Sequence, residues 1–313
     1  MQMKAIQYSR YGGPDVLELV ELPAPVPAPE EVLIAVRCAS VIPGDWKVRA
    51  GHLQEMFPLD LPTIPGRDGA GIVIATGAAC DWAEIGDELC FVTEHTEPGS
   101  YAEIVARPRG MTVPKPPGTG FAEAAAALHA GVCAWIGLVE TAEIRSGDNV
   151  LIHAGAGAIG GMAVQIAHAT GCHVTATCSA ANADYVRSLG ADRVIAYDED
   201  DFEKDLASQD IVFDLVGGDV HERSCRVLKK GGRIVWLIAA PFEDVSAGYG
   251  VVCKQALIHD SRQTLENVAD AVGKGILIPQ VSRRMPMAQA AEAHRILERG
   301  ENSRGRIILD IGG

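Results

Sequence analysis

Asn149-Val-Leu-Ile-His153 runs straight into Ala154-Gly155-Ala156-Gly157-Ala158-Ile159-Gly160 and then Gly161-Met-Ala-Val-Gln-Ile-Ala-His-Ala-Thr170, and this stretch decides how the chain folds. The first segment has the apolar centre of a buried strand, and the last reads as a helix. Between them, Gly155, Gly157 and Gly160 fit the spacing G-x-G-x-x-G. Each glycine has its own task. Gly155 makes the tight turn, Gly157 admits a pyrophosphate against the backbone, and Gly160 lets helix and strand pack closely. The helix start offers unpaired N–H groups and the positive end of its dipole. With 34 glycines in the chain, the spacing alone is a weak signal. The strand before, the helix after and a second strand from His173 make it a dinucleotide site, with Gly155, Ala156, Gly157, Ala158, Ile159 and Gly160 as the pyrophosphate loop.

Outward from the loop, β-branched and helical runs alternate. Asn149–His153, His173–Cys178, Arg193–Ala196, Ile211–Val216 and Arg233–Ile238 read as strands; Ala158–Thr170, Ala183–Leu189 and His221–Leu228 read as helices. Such alternation predicts βαβ units and a doubly wound parallel sheet of Rossmann type in an α/β protein. The first third differs: Val16–Leu22, Glu31–Ala39, Gly69–Thr76 and Glu88–Thr93 are short strands broken by Pro and Gly, as in a β-rich, barrel-like domain. Near the end, Pro286–Glu298 reads as a helix with proline at its start. The closing strand Gly305–Ile311 has no βαβ partner after it and is expected to return to the first domain. The expected domains are 1–118 with 262–313 (β-rich) and 119–261 (dinucleotide-binding).

The end of the second strand bears on the choice of dinucleotide. An enzyme selective for NAD places Asp or Glu there, about 20 residues after the glycines, to bind the ribose 2′-hydroxyl. Here the strand ends in Cys178-Ser179-Ala180-Ala181-Asn182, with no carboxylate to repel a 2′-phosphate; Asp184 lies further on, inside the next helix. NADP is the expected cofactor, although no Arg or Lys stands in the turn.

Composition narrows the partners. The net charge of −14, with no basic run, argues against nucleic acid. The most apolar stretch, Ala124–Val139, carries His129 and Gly131 and reads as a buried helix, so no membrane partner is expected. Residues Met1–Arg10 lack the apolar core of a signal peptide. Eight cysteines without a C-x-x-C pair fit small buried hydrophobes in a reducing cytoplasm.

Several segments together resemble the zinc-independent quinone oxidoreductase branch of the medium-chain dehydrogenase/reductase superfamily, over essentially the whole chain. Val41-Ile-Pro-Gly-Asp-Trp-Lys-Val-Arg-Ala-Gly51 is similar to the family's N-P-x-D-x-K-x-R-x-G, and Pro62-Thr-Ile-Pro-Gly-Arg-Asp-Gly-Ala-Gly71 to its P-x-x-x-G-x-D-x-x-G. Leu189-Gly-Ala-Asp192, Phe213-Asp-Leu-Val-Gly-Gly218, Lys230-Gly-Gly-Arg-Ile-Val235 and Arg304-Gly-Arg-Ile-Ile-Leu309 match later landmarks. The resemblance implies a discontinuous, β-rich GroES-like catalytic domain beside the Rossmann domain, and a homodimer. It implies that Ser179 and Asn182 meet the 2′-phosphate, with Tyr197 nearby, and that Asp45, Lys47 and Asp68 line the catalytic cleft. One departure stands out: the usual Asn of N-P-x-D is Ile42.

Zinc-dependent relatives hold their catalytic ion with a Cys, a His in G-H-E and a later Cys. The matching positions are Ile42, Arg67 and Ala130, none able to ligate zinc, so no metal ligand is assigned. Without a Lewis acid the softer acceptors are a quinone or the C=C bond of an α,β-unsaturated carbonyl, where charge spreads into a hydroquinone anion or enolate. The expected activity is NADPH-dependent reduction of such small molecules. An enoyl-thioester reductase and a catalytically weak NADPH-binding or sensor protein are the alternatives, the latter kept open by Ile42.

Several side chains have two readings. Lys47 binds a developing oxyanion or is a solvated lysine; Asp45 is an active-site acid or ties its loop to backbone N–H groups. Asp68 lines the cleft or pairs with Arg67 or Arg49. His129 approaches the nicotinamide or is a satisfied helix histidine, and Tyr197 packs on adenine or covers the sheet edge. His153 reads as a buried strand residue, and Cys133 and Cys178 as space-fillers.

Overall fold

The computed structural model describes residues 1–237 and 241–312. Ile238, the expected end of one strand, lies outside the described residues. The chain forms two compact units, Met1–His129 with Asp260–Gly273 and Pro279–Gly313, and Ala130–His259 with Lys274–Ile278. The change of unit falls inside the helix Phe121–Trp135, rather than at residue 119. That helix continues as a π-helix, Ile136–Thr141, and 83% of its most apolar window is buried.

In the second unit the six strands among the described residues are all parallel, in the order Arg193–Ala196, His173–Cys178, Asn149–Ile152, Gln209–Asp214, Leu228–Trp236, Val252–Gln255. Numbered along the chain this is 3-2-1-4-5-6, the doubly wound Rossmann order. The strand order reverses at Asn149–Ile152, where ligands of such sheets bind. The central strands read as continuous apolar runs because both faces are covered: Val150, Leu151, Ile152, Ile211, Val212 and Phe213 have no exposed surface. The strand expected at Ile211–Val216 ends at Asp214, because Asp214 Oδ1 accepts from the N–H groups of Val216 and Gly217 and turns the chain.

The first unit is built on Glu31–Val41, which pairs antiparallel with Asp68–Thr76 and Ile104–Pro108, and at its far end with Arg306–Asp310. Its Val32, Ile34 and Val36 alternate into the core, as a half-buried strand requires. Arg306–Asp310 therefore does return to this unit, where it also carries Val281–Pro286 in parallel. Proline does not open the last helix as expected. Pro286 ends that strand in extended conformation, a short 3-10 turn follows, and the helix is Ala290–Glu298. Pro286 pairs with Asp310 at the strand's end, so its missing N–H costs little there. Likewise the strand expected from Val16 begins at Glu18, after a 3-10 turn Pro14–Val16.

Each unit contains histidines that burial keeps neutral. His153 is 2% exposed; its Nε2 lies 2.9 Å from Ser224 Oγ and its Nδ1 3.0 Å from Thr177 Oγ1. Ser224 spends its own proton on Val220 O, so Nε2 carries the imidazole proton and Nδ1 accepts from Thr177. Burial pushes His153 down to about 4, and His95 and His294 to about 3. The folded pKa values lie below the unfolded one, so the contribution to stability is full above about pH 6.5 and is lost as pH falls toward 4. Each histidine is expected to cost about 1.4 kcal/mol per pH unit below 6.5. Urea midpoints at pH 7.5, 5.5 and 4.5 check this: the midpoint should fall steadily below pH 6.5, and His153→Gln should shrink the fall.

Candidate dinucleotide site and first-unit polar cluster

The strand Asn149–Ile152 hands over to the loop through His153 and Ala154, whose φ of 55° is left-handed. Ala154 is held there by the Gly157 N–H, which donates to its carbonyl at 3.0 Å, while Gly155 N–H donates to Thr177 O of the neighbouring strand at 2.8 Å. The three glycines differ in what a side chain would meet. At Gly160, a Cβ would overlap the backbone carbonyl of Ala154; at Gly155 it would sit 2.9 Å from Ala176 Cβ. At Gly157 it would meet only Ala154 O, at 3.4 Å. Two glycines therefore permit close packing, and the third leaves a space lined by backbone. Gly157 also caps the helix Ala158–Thr170 without any side-chain cap, leaving the first N–H groups of that helix to a ligand. The loop fits a pyrophosphate on these grounds.

On the adenosine side, the expected residues converge. Asn182 Nδ2 donates to Ser179 Oγ at 3.0 Å, and Tyr197 N–H donates to Cys178 O at 3.0 Å, with the ring 63% exposed. The structure adds a group that the sequence reading missed. Asp198, two residues past the strand Arg193–Ala196, accepts from Ala180 N–H at 2.8 Å and so brings a carboxylate to the turn from the next strand. The clue in the sequence was the acidic run Asp198-Glu-Asp-Asp201 directly after Tyr197, which had no role assigned to it. Asp184 is exposed on the following helix and pairs with Arg187.

In the first unit, Asp45 is 3% exposed and accepts from Ile42 N–H at 2.9 Å and from the Tyr101 hydroxyl at 2.9 Å. It caps the helix Pro43–Arg49. Burial pushes its carboxyl up to about 7, against the two donors that stabilise its charge. Lys47, on the same helix, is half-buried, with Nζ 5.9 Å from the Trp46 ring centroid. Its ammonium makes no hydrogen bond or ion pair among the described residues. Asp68, wholly buried, accepts from Ser40 Oγ and from His129 N–H. It pairs with neither Arg67 nor Arg49, the partners considered for it, because each has another carboxylate: Asp260 for Arg67 and Glu298 for Arg49.

Arg67 is 5% exposed and donates to Thr93 O, to Asp260 Oδ2 at 2.5 Å and to Glu94 Oε2 at 3.4 Å. His129 Nδ1 lies 3.9 Å from the other oxygen of Asp260. Burial pushes Asp260 up, but His129 and Arg67 together hold it below the usual carboxylate range. At the position where zinc-dependent relatives place an imidazole, this chain holds a buried guanidinium already engaged with a carboxylate. The donor set does not fit a zinc ion.

Comparisons agree with this architecture. Residues 28–135 match the family described as alcohol dehydrogenase GroES-like domain, and residues 189–309 the family described as zinc-binding dehydrogenase. A quinone-oxidoreductase homologue from the chloroplast of Spinacia oleracea is 42% identical over 201 residues, which are 62% of this chain and 61% of the spinach protein. An NADPH-dependent alkenal/one oxidoreductase from the chloroplast of Arabidopsis thaliana is 33% identical across 98% of this chain and 79% of its own. The solved quinone oxidoreductase of Coxiella burnetii superposes with a TM-score of 0.90 at 32% identity, covering both chains completely. With the 3-2-1-4-5-6 sheet, the glycine loop and a guanidinium in the zinc-ligand position, these likenesses establish that the chain belongs to the zinc-independent quinone oxidoreductase branch of the medium-chain dehydrogenase/reductase superfamily.

Proposed function

We propose that this chain is an NADPH-dependent oxidoreductase that reduces small quinones or the C=C bond of α,β-unsaturated carbonyls, without a metal at the reacting centre. The buried Arg67–Asp260 pair carries this reading: a fixed cation at a zinc-ligand position opposes a divalent ion. An acceptor that delocalises its charge is then the easier partner than a simple ketone.

A reduced nicotinamide supplies the hydride when bound. The loop from Gly155 to Gly160 binds the pyrophosphate, with the helix N-terminus neutralising part of its charge. Ser179 and Asn182 offer polar groups to the ribose, and Tyr197 its exposed ring to the adenine. Asp45 and Asp68 hold the shape of the first unit, through the helix cap and the Ser40 and His129 contacts. Lys47 supplies a positive charge to the oxygen of the developing enolate or hydroquinone anion. The protein works as a homodimer through the edge strand Val252–Gln255, which among the described residues pairs on one side only and leaves Val252 46% exposed.

The absence of acidic side chains from residues 178–182, and the name of the Arabidopsis relative, support NADPH. Asp198 favours a second reading, tolerance of NADH, because its carboxylate would repel a 2′-phosphate and accept from a 2′-hydroxyl.

Cofactor oxidation should be followed with quinones, enones, enoyl thioesters and simple ketones. Turnover is expected with quinones or enones and not with ketones. Silence across the panel with NADPH still bound would instead mark a binding or sensor protein. Lys47→Met should lower kcat about 100-fold while leaving NADPH affinity unchanged, as loss of one oxyanion-stabilising group does; full turnover by this variant would remove Lys47 from the chemistry. Asp198→Ser should tighten NADPH binding about tenfold and leave NADH binding the same or weaker, measured by fluorescence titration.

A further inference from the structure

A second polar cluster lies in the Rossmann unit, away from the glycine loop in sequence and not used by the proposed reaction. His221, on the helix Asp219–Val227, is completely buried. Its Nδ1 lies 3.3 Å from Asp214 Oδ2. The other oxygen of Asp214 is taken by the Val216 and Gly217 N–H groups, so Oδ2 is free to accept the Nδ1 proton. That fixes the tautomer: Nε2 carries a lone pair. The ring is clamped by Phe242, stacked on it with centroids 3.7 Å apart and planes 17° from parallel.

Nε2 faces two further donors on separate elements. Cys253 Sγ, on the edge strand Val252–Gln255, is 3.9 Å away, and Asp244 Oδ1, just before the helix Ser246–Tyr249, is also 3.9 Å away. All three donor atoms lie within 4.8 Å of one another. Without an ion the cluster is hydrogen-bonded: the Cys253 thiol donates to Nε2, and Asp244 Oδ1 accepts from Ser246 N–H at 3.0 Å. A cation takes the place of the thiol proton, which leaves to solvent, since all three groups can donate electron pairs to it.

We propose that His221, Asp244 and Cys253 form a binding site for a zinc-class divalent cation, with Asp214 orienting His221 from behind. Imidazole, thiolate and carboxylate together suit a borderline-soft ion, not magnesium or calcium. The Asp214–His221 pair has the carboxylate–histidine–metal arrangement that fixes ring orientation at such sites. A tetrahedral ion with bonds of about 2.0–2.3 Å needs donors about 3.3–3.6 Å apart, so the two pairs with His221 Nε2, each at 3.9 Å, contract by a few tenths of an ångström when the ion binds. Asp244 is half-exposed, its side chain 53% accessible, which leaves an entry path and a fourth position for water. This site is distinct from the positions Ile42, Arg67 and Ala130, and it rests on none of the redox chemistry proposed above.

The test uses the purified 313-residue chain, stripped with a chelator and titrated without cofactor. Cobalt(II) alone is expected to bind at one equivalent, giving thiolate-to-metal charge-transfer absorption and the intense visible bands of a tetrahedral site, both abolished by added zinc. Cys253→Ser should remove the charge-transfer band. Asp244→Ala, at a half-exposed position that leaves the fold intact, should weaken zinc binding at least about tenfold. No cobalt bands, or bands that persist unchanged in both variants, would overturn the assignment. Turnover plays no part in either readout, so a failed activity panel and a failed metal site are separate results.

Discussion

The approach of Gly160 to the carbonyl of Ala154 is the contact on which the dinucleotide unit depends. Any side chain at that position would collide with the backbone oxygen, so the helix can start directly over the end of the strand only because the residue is glycine. The close approach aims the uncapped helix start across the C-terminal end of the sheet, where the strand order reverses. It also requires the strand to leave through Ala154 in a left-handed conformation, which costs a non-glycine residue about 1–2 kcal/mol. The hydrogen bonds from Gly157 N–H to Ala154 O and from Gly155 N–H to Thr177 O offset that cost and hold the loop in one shape. Pre-organisation here is a matter of backbone, which is why a pyrophosphate can be recognised with so few side chains.

The first unit solves a different problem, that of buried charge. Arg67 with Asp260 and Arg49 with Glu298 are guanidinium–carboxylate pairs in which the arginine is almost fully buried. Such pairs gain little net stability, because desolvation consumes most of the attraction, but breaking one is costly. Their effect is to fix geometry. Arg67 is committed to Asp260 and Thr93, so the position is filled by a guanidinium, which has no lone pair to offer a metal ion. This substitution is the physical link between sequence and the zinc-independent branch.

What could be read in the sequence was local. The glycine loop, the strand before it and the helix after it lie within Asn149–Thr170, and their composition alone specifies them. The return of Arg306–Asp310 to the first unit was legible because a strand with no following crossover has no place in a parallel sheet. What stayed hidden depends on residues far apart in the chain. Asp198 reaches Ala180 across the gap between two parallel strands, and nothing in the turn itself announces it. Arg67 meets Asp260 across 193 residues. His221, Asp244 and Cys253 come from three elements and share no recognisable spacing. Asp45 was legible only as an alternative, since its cap and its contact with Tyr101 both needed the fold.

The central claim is that the glycine loop is a preformed pyrophosphate cradle in which Gly157 provides the space and Gly160 the packing. Calorimetric titration of NADPH into Gly157→Val and Gly160→Ala, each with its melting temperature, tests it most directly. Gly157→Val should melt like the parent chain and lose dinucleotide binding, while Gly160→Ala should melt several degrees lower. If Gly157→Val bound NADPH as tightly as the parent, the dinucleotide would have to sit elsewhere and the account would fail.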